Sequence, residues 1–139
     1  MKGLAWLLCA LLATGAKAQG PAMSFDAWKS LPLSAGSWTY VATASGSEAR
    51  FGTLMLVRCD RASRTVSIER PGIAPAPMDI VTSSASRRIA AGTTLSVNDP
   101  LLDAIAFSRG RILVSGGSGT MLAVPSWPEA ARSIEDCRN

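Results

Sequence analysis

Apolar and polar side chains alternate along most of the chain after residue 36, and this period of two predicts β-strands. Trp38, Tyr40 and Ala42 alternate with Thr and Val, while Val66 and Ile68 alternate with polar neighbours. The predicted strands cover residues 37–44, 49–59, 65–70, 78–82, 87–91, 94–97, 111–115 and 120–124.

Polar, proline-rich and glycine-rich segments separate these strands. The predicted connections are a turn at 45–48, a polar link at 60–64, a proline-rich loop at 71–77 and a glycine-rich hairpin tip at 116–119. The strand predicted at 49–59 places Phe51, Met55 and Val57 on one face, with Cys59 at its inward end.

A first helix is predicted over residues 100–109. Asp99 can accept hydrogen bonds from the free amides of the first turn, and Pro100 suits the first helical position. Gly110 is the expected stop. The apolar face is formed by Leu101, Leu102, Ile105 and Ala106.

A second helix is predicted over residues 127–137, because Ser126 and Glu129 have the spacing of a capping box. This helix leads to Cys137. A shorter segment, residues 24–31, has apolar side chains at helical spacing. Together these elements predict a mainly β fold at the α+β border: a small antiparallel β domain with two short helices. A sandwich, a partly open barrel and a single covered sheet all fit the pattern.

The N-terminus has the three parts of a secretory signal: Lys2, an apolar stretch over residues 4–13, and the small-residue site Ala16-Lys17-Ala18. We expect a signal peptide at 1–18 and a periplasmic or secreted domain at 19–139. The rival interpretations are an uncleaved anchor, for which the apolar run is short of the ~20 residues a bilayer needs, and a lipoprotein acylated at Cys9.

Removal of the signal reduces the charge of the chain. Twelve Lys and Arg then face ten Asp and Glu, a surplus too small to predict a nucleic-acid partner or an anionic membrane from net charge alone. The remaining length suits one domain with no transmembrane segment.

Cys59 and Cys137 are the two cysteines left after processing, and an even pair in an exported chain predicts a disulfide. A metal site is the rival interpretation. The chain has no histidine, so two isolated thiols lack the usual ligands to complete a zinc shell, and we predict neither a metal nor a cofactor.

The lack of histidine also removes the commonest general base and the usual activator of serine or cysteine nucleophiles. Lys29 is the one lysine left for a Ser-Lys dyad, and no S-x-x-K motif surrounds it. The glycines at 116–119 lack the lysine and the following helix of a phosphate loop. Asp99 and Asp103, four residues apart, are the remaining candidates for paired carboxylates, although capping explains their position. We therefore predict no catalytic residues.

Arginine carries nearly all the positive charge. The predicted disulfide would bring Arg58 and Arg61 near Glu135 and Asp136, which favours local ion pairs there. The candidate partner-facing residues are Arg87, Arg88, Gly117 and Ser118.

The C-terminal third combines residues 101–105, 110–114, a glycine turn, residues 122–125 and a helix through Ala130 and Ala131. This succession resembles the ending of small exported bacterial proteins of the invasion-associated locus B type. The resemblance implies an envelope or secreted β domain that acts through contacts. We expect a non-catalytic domain that binds an as yet unknown protein or envelope component, the alternative being a histidine-free, carboxylate-dependent hydrolase of glycosidase type.

Overall fold

The computed structural model describes residues 24–139 as two antiparallel sheets and three short helices. In chain order the elements are α1 (Phe25–Trp28), β1 (Trp38–Thr43), β2 (Gly46–Phe51), β3 (Met55–Asp60), β4 (Thr65–Glu69), β5 (Met78–Val81), β6 (Ser86–Ile89), β7 (Thr94–Ser96), α2 (Pro100–Ala106), β8 (Arg111–Ser115), β9 (Leu122–Pro125) and α3 (Pro128–Asp136). The mainly β, antiparallel class is confirmed. The predicted signal peptide, its cleavage before Gln19 and Cys9 lie outside the described residues.

One sheet has five strands in the order β1-β2-β3-β4-β7, and the other has four in the order β6-β5-β8-β9. Strands β1 to β4 form a meander of consecutive hairpins. The chain then crosses to the second sheet between β4 and β5 and returns between β6 and β7. The sheets do not close into a barrel.

The core lies between the two sheets and under α2 and α3. Phe51, Val57 and Val66 of the larger sheet share one buried cluster with Ile80 and Ile112 of the smaller sheet. Helix α1 covers the other face of the smaller sheet, where Phe25 and Trp28 pack against a second cluster. That cluster consists of Val81, Leu113 and Ala123.

The single strand predicted at 49–59 is wrong. Residues 52–54 form a turn that separates β2 from β3, and Phe51 pairs with Met55 across it. Gly52 makes this turn possible because its φ of 52° lies in the left-handed region. Phe51 and Met55 are both buried. They lie four residues apart, an even spacing that fits the period of two of a single strand, and the pattern therefore does not reveal the turn between them.

The turn predicted at 45–48 is also wrong, because β2 begins at Gly46. A Cβ atom at Gly46 would lie 2.2 Å from the carbonyl oxygen of Cys59. The glycine therefore serves close strand approach, and the hairpin turn is confined to Ala44 and Ser45.

The helix beginning at Pro100 is confirmed, since the Asp99 side chain accepts from the Leu101 N–H at 2.8 Å. It ends at Ala106, short of the predicted 109, and Gly110 instead occupies the turn before β8. Its φ of 78° suits a glycine turn.

Helix α3 spans Pro128–Asp136, within the predicted range, but the capping box is wrong. Trp127 occupies the N-cap position and makes no side-chain cap hydrogen bond. Ser126 Oγ donates instead to the carbonyl oxygen of Ser108 at 2.6 Å, because the loop after α2 lies next to it.

Cys59 and Cys137 lie at disulfide distance, with Cα atoms 5.5 Å apart. The pair ties α3 to the inner face of β3. Ser47 and Ser133 reinforce this contact through a buried hydroxyl–hydroxyl hydrogen bond of 3.0 Å. Within residues 24–139, no helix is long and apolar enough to cross a membrane, and no group of three or more acidic or sulfur side chains has the arrangement of a metal site.

Candidate functional site

A groove of about 520 Å³ opens at the edge of the sandwich, beside the two connections that cross between the sheets. We call it the edge groove, and define it by Ser67, Glu69, Ile73, Ala74, Thr93 and Gly116. A second cleft, of about 500 Å³, is lined by Trp38, Tyr40, Glu129 and Arg132.

The groove exists because β7 is shorter than its partner β4. Thr94–Ser96 pairs with the residues from Thr65 to Ser67, whereas β4 continues to Glu69. At Thr93 the chain turns away, its N–H donating to the carbonyl oxygen of Ala90. A notch is therefore left along the last residues of β4.

The peptide groups of Ile68 point toward this notch. The Val97 N–H donates to the carbonyl oxygen of Arg64 at 3.2 Å, on the side of β4 that β7 occupies. Peptide groups alternate in direction along a strand, so those of Val66 and Ile68 face the same side as Arg64. A ligand in the groove therefore meets a strand edge.

The wall of the groove is apolar and comes from the loop at 70–77. Prolines restrict the backbone of this loop, since each fixes φ near −65°. The buried side chains of Ile68 and Met78 line the groove at the junction of the two sheets. The lining residues of the loop itself are Pro71, Gly72, Ile73, Ala74, Pro75 and Ala76.

Arg70 stands where the loop leaves β4 and holds the glycine-rich hairpin tip. Its Nη1 donates to Gly116 O at 3.1 Å and its Nη2 donates to Thr120 O at 2.5 Å. The Nε atom is buried without a hydrogen-bond partner among the described residues. Burial lowers the pKa of the Arg70 guanidinium, because it removes water from the charged form. The two groups that the guanidinium contacts are neutral carbonyls and supply no opposite charge.

Two of the other charged residues that line the groove, Arg58 and Glu69, form an ion pair with each other. Arg58 Nε donates to Glu48 at 2.9 Å, and its Nη1 lies 3.5 Å from Glu69. Burial tends to raise the pKa of Glu48, but hydrogen bonds from Arg50 and Arg58 outweigh it and hold that pKa below its usual value. Arg70 is consequently the lining charge with no carboxylate contact in the described part of the chain.

The structure brings part of the predicted partner-facing set to the groove. A Cβ atom at Gly117 would lie 3.3 Å from Ala76 Cβ and 3.5 Å from Ile73 Cδ1, so the hairpin tip with Gly117 and Ser118 packs against the groove wall. Both tip residues are exposed.

Arg87 and Arg88 lie elsewhere, on β6, and each has an acidic partner. Arg87 pairs with Asp99 at 2.8 Å, and Arg88 pairs with Asp79 at 3.2 Å. The ion pairing predicted around the cysteines is present for Arg61, which lies 3.9 Å from Asp136, while Arg58 turns to Glu48 and Glu69.

The carboxylates that a hydrolase would need are engaged separately. Asp99 binds Arg87, whereas Asp103 binds Arg138 at 2.8 Å. The hydrogen bond from Arg87 lowers the pKa of Asp99, which is the opposite of what a general acid requires.

The two carboxylates that line the edge groove are Asp60 and Glu69. They sit at opposite ends of the β3–β4 ladder, four strand residues or about 13 Å apart along the backbone. Asp60 accepts from the N–H groups of Ala62 and Ser63 in its own turn. This placement differs from the facing carboxyl pair of a glycosidase.

Arg70 and Ile73 were not singled out from the sequence. An arginine before a proline-rich loop has no pattern that distinguishes it from a surface residue, and the hairpin tip that it holds lies 46 residues away along the chain. The prolines signalled only a loop.

No family model, curated protein or solved structure matches the chain. The likeness of the C-terminal third to locus B type proteins stays a prediction. The geometry of the edge groove is what bears on function.

Proposed function

We propose that the chain is a non-catalytic domain of the periplasm or the extracellular space, and that it binds an extended segment of a protein or envelope component in the edge groove. The observation that carries the proposal is the combination of an apolar wall, a strand edge and an uncompensated arginine in one cavity.

Each part of the groove suits a different part of such a segment. The peptide groups of Ile68 can exchange hydrogen bonds with an extended backbone, as strands do when they add to a sheet edge. Ile73 and Ala76 offer apolar contact to a side chain. A carboxylate on the ligand would complement Arg70, whose guanidinium donates to two carbonyl oxygens and forms no salt bridge with a described residue.

The volume is consistent with this use. Pockets for small-molecule ligands commonly enclose about 300–1,000 Å³, and the groove falls within that range at about 520 Å³. The groove is open along the sheet edge, so a ligand longer than the cavity can extend beyond it.

Export rests on the signal-like N-terminus and on the cysteine pair at disulfide distance. Both are typical of proteins that fold outside the reducing cytoplasm. The partner is therefore expected among periplasmic, envelope or extracellular molecules.

Capture from the organism's own envelope extract tests the proposal. Ala74→Trp places a large side chain into the groove from an exposed wall position, and Ala44→Trp places the same side chain in the exposed β1–β2 turn as a matched control. We expect the wild-type chain and Ala44→Trp to retain a common partner that Ala74→Trp does not. Equal capture by all three would contradict groove binding.

A further inference from the structure

Two large aromatic side chains remain exposed at one end of the molecule, away from the edge groove. Phe107 is 75% exposed and Trp127 is 48% exposed. Neither lines the edge groove. Leu33 and Val41 are the other large apolar side chains exposed in residues 24–139, so aromatic exposure is confined to this end.

The loops that carry Phe107 and Trp127 are joined by hydrogen bonds. Ser126 Oγ donates to Ser108 O at 2.6 Å, and the Ser126 N–H donates to Gly110 O at 3.3 Å. Each aromatic residue is the chain neighbour of one of the bonded serines, so their Cα atoms lie within about 15 Å. The two residues are therefore close enough along the surface for one bilayer contact to include both.

The same loop is fixed from a second side. The Arg109 N–H donates to Ser83 Oγ at 2.9 Å, and the Ser83 N–H donates to Ser108 Oγ at 3.1 Å. Since Ser108 lies at the centre of these bonds, the exposed side chains are held on a preformed backbone. Little backbone ordering would be needed on binding.

One cation, Arg109, lies in the same loop as Phe107, between α2 and β8. Arg109 is exposed, and its guanidinium makes no salt bridge among the described residues. Asp103, one helical turn before Phe107, is neutralised by Arg138 at 2.8 Å. Glu129 has one carboxylate oxygen buried and lines a separate cleft with Trp38 and Arg132.

We propose that Phe107, Arg109 and Trp127, which we call the aromatic pole, dock the domain on the surface of an anionic lipid bilayer. Tryptophan and phenylalanine side chains favour the boundary between headgroups and acyl chains. Arg109, two residues after Phe107, can pair with lipid phosphates. The combination of two exposed rings and one cation without a salt bridge among the described residues favours a lipid surface, because a bilayer offers acyl chains and anionic headgroups to the same contact.

Co-sedimentation with lipid vesicles tests the proposal. The purified protein is mixed at low ionic strength with vesicles of phosphatidylcholine and phosphatidylglycerol, and in parallel with vesicles of phosphatidylcholine alone. We expect weak, reversible binding to the anionic vesicles and less binding to the neutral ones. The double variant Phe107→Ala/Trp127→Ala should reduce the partition coefficient at least about tenfold, because it removes the apolar contact.

Two further variants separate the contributions. Arg109→Gln should reduce binding to anionic vesicles about fivefold and leave binding to neutral vesicles unchanged. Val41→Ala truncates an exposed apolar side chain on β1 and should bind as the wild type does. Circular dichroism confirms that each variant is folded.

Three results would overturn the proposal: no sedimentation with anionic vesicles at low salt, equal binding by the double variant, or equal loss in Val41→Ala. If vesicles are not bound but the double variant fails to retain a protein that the wild type captures from the envelope, the pole is a protein interface instead. Ala74→Trp leaves the pole intact, so vesicle binding can fail or succeed independently of the edge groove.

Discussion

Arg87 on β6 and Asp99 before α2 form a two-point ion pair, in which Nη1–Oδ1 and Nη2–Oδ2 are both 2.8 Å. The same carboxylate accepts from the Leu101 N–H and so caps α2. One side chain thus joins the smaller sheet to the first turn of a helix in the core. The sequence predicts that Asp99 caps α2. It does not predict the ion pair, because Arg87 is expected there to face a binding partner.

Variants of Asp99 separate the cap from the ion pair. Asp99→Asn keeps an oxygen for the Leu101 N–H and should lose up to about 1 kcal/mol of unfolding free energy, the range of exposed ion pairs. Asp99→Ala also removes the cap and should lose about 1 kcal/mol more. Urea denaturation measures both. As a control, Arg87→Ala should cost little in the Asp99→Asn background, and an undiminished cost there would refute the pair.

The pair also predicts a pH dependence of stability. The Arg87 hydrogen bond lowers the pKa of folded Asp99 below its ordinary value of 3.8. A depressed carboxyl pKa stabilises the fold at pH values above the unfolded pKa, and this contribution disappears as the pH falls through the folded pKa. The difference in urea midpoint between wild type and Asp99→Asn should therefore be constant above about pH 5 and shrink below 3.8. A difference that persists at the lowest pH at which both proteins fold would contradict it.

The alternation of apolar and polar residues predicted much of the larger sheet. Strands β1 to β4 are joined by short hairpins, so strands that are neighbours in the sequence are also neighbours in the sheet. The turn at Gly52 was missed for a physical reason. Phe51 and Met55 both face the core from opposite sides of the turn, and their even spacing matches the period of one continuous strand.

Contacts between residues that are far apart in the sequence could not be predicted from the spacing of apolar and polar residues. Pairing of β4 with β7 and of β5 with β8 depends on which distant strands meet, and the edge groove is a consequence of those pairings. Ser126 illustrates the same limit, because its hydroxyl matched a capping pattern but binds Ser108, 18 residues away. Cys59 and Cys137 were predictable as a pair because the predicted signal peptide contains Cys9, the third cysteine of the sequence.

Removal of the Cys59–Cys137 bridge should destabilise the domain substantially. The bridged residues are 78 positions apart. For a loop of this length the chain-entropy model gives a stabilisation of about 4.5 kcal/mol, and disulfides typically contribute about 2–4 kcal/mol to the free energy of unfolding, so the first figure is an upper value. The double variant Cys59→Ala/Cys137→Ala should show a lower urea midpoint than the oxidised wild type. Reductant should lower the wild-type midpoint and leave the double variant unaffected. Alkylatable thiols at both positions in protein isolated without reductant would disprove the bridge.

Gly46 should tolerate no side chain. Gly46→Ala places Cβ 2.2 Å from Cys59 O, against backbone that cannot move without disturbing β3, so it should cost several kcal/mol or prevent folding. Gly52→Ala is the matched control, since no atom lies within 4 Å of its Cβ and only the positive φ is penalised, at about 1 kcal/mol. Thermal denaturation compares the two, and equal melting temperatures would show that β2 and β3 are not this close.

Site-specific photo-cross-linking tests the binding function of the edge groove most directly. The photoreactive residue p-benzoylphenylalanine is introduced at position 94, an exposed position on β7 that lines the groove, or at position 44 in the exposed β1–β2 turn, and the cells are irradiated intact. A discrete cross-linked partner from position 94, absent from position 44 and weakened when Ile73→Asp makes the wall polar, is the predicted result. No cross-link from position 94, or the same products from both positions, would contradict the assignment of the edge groove as the binding site.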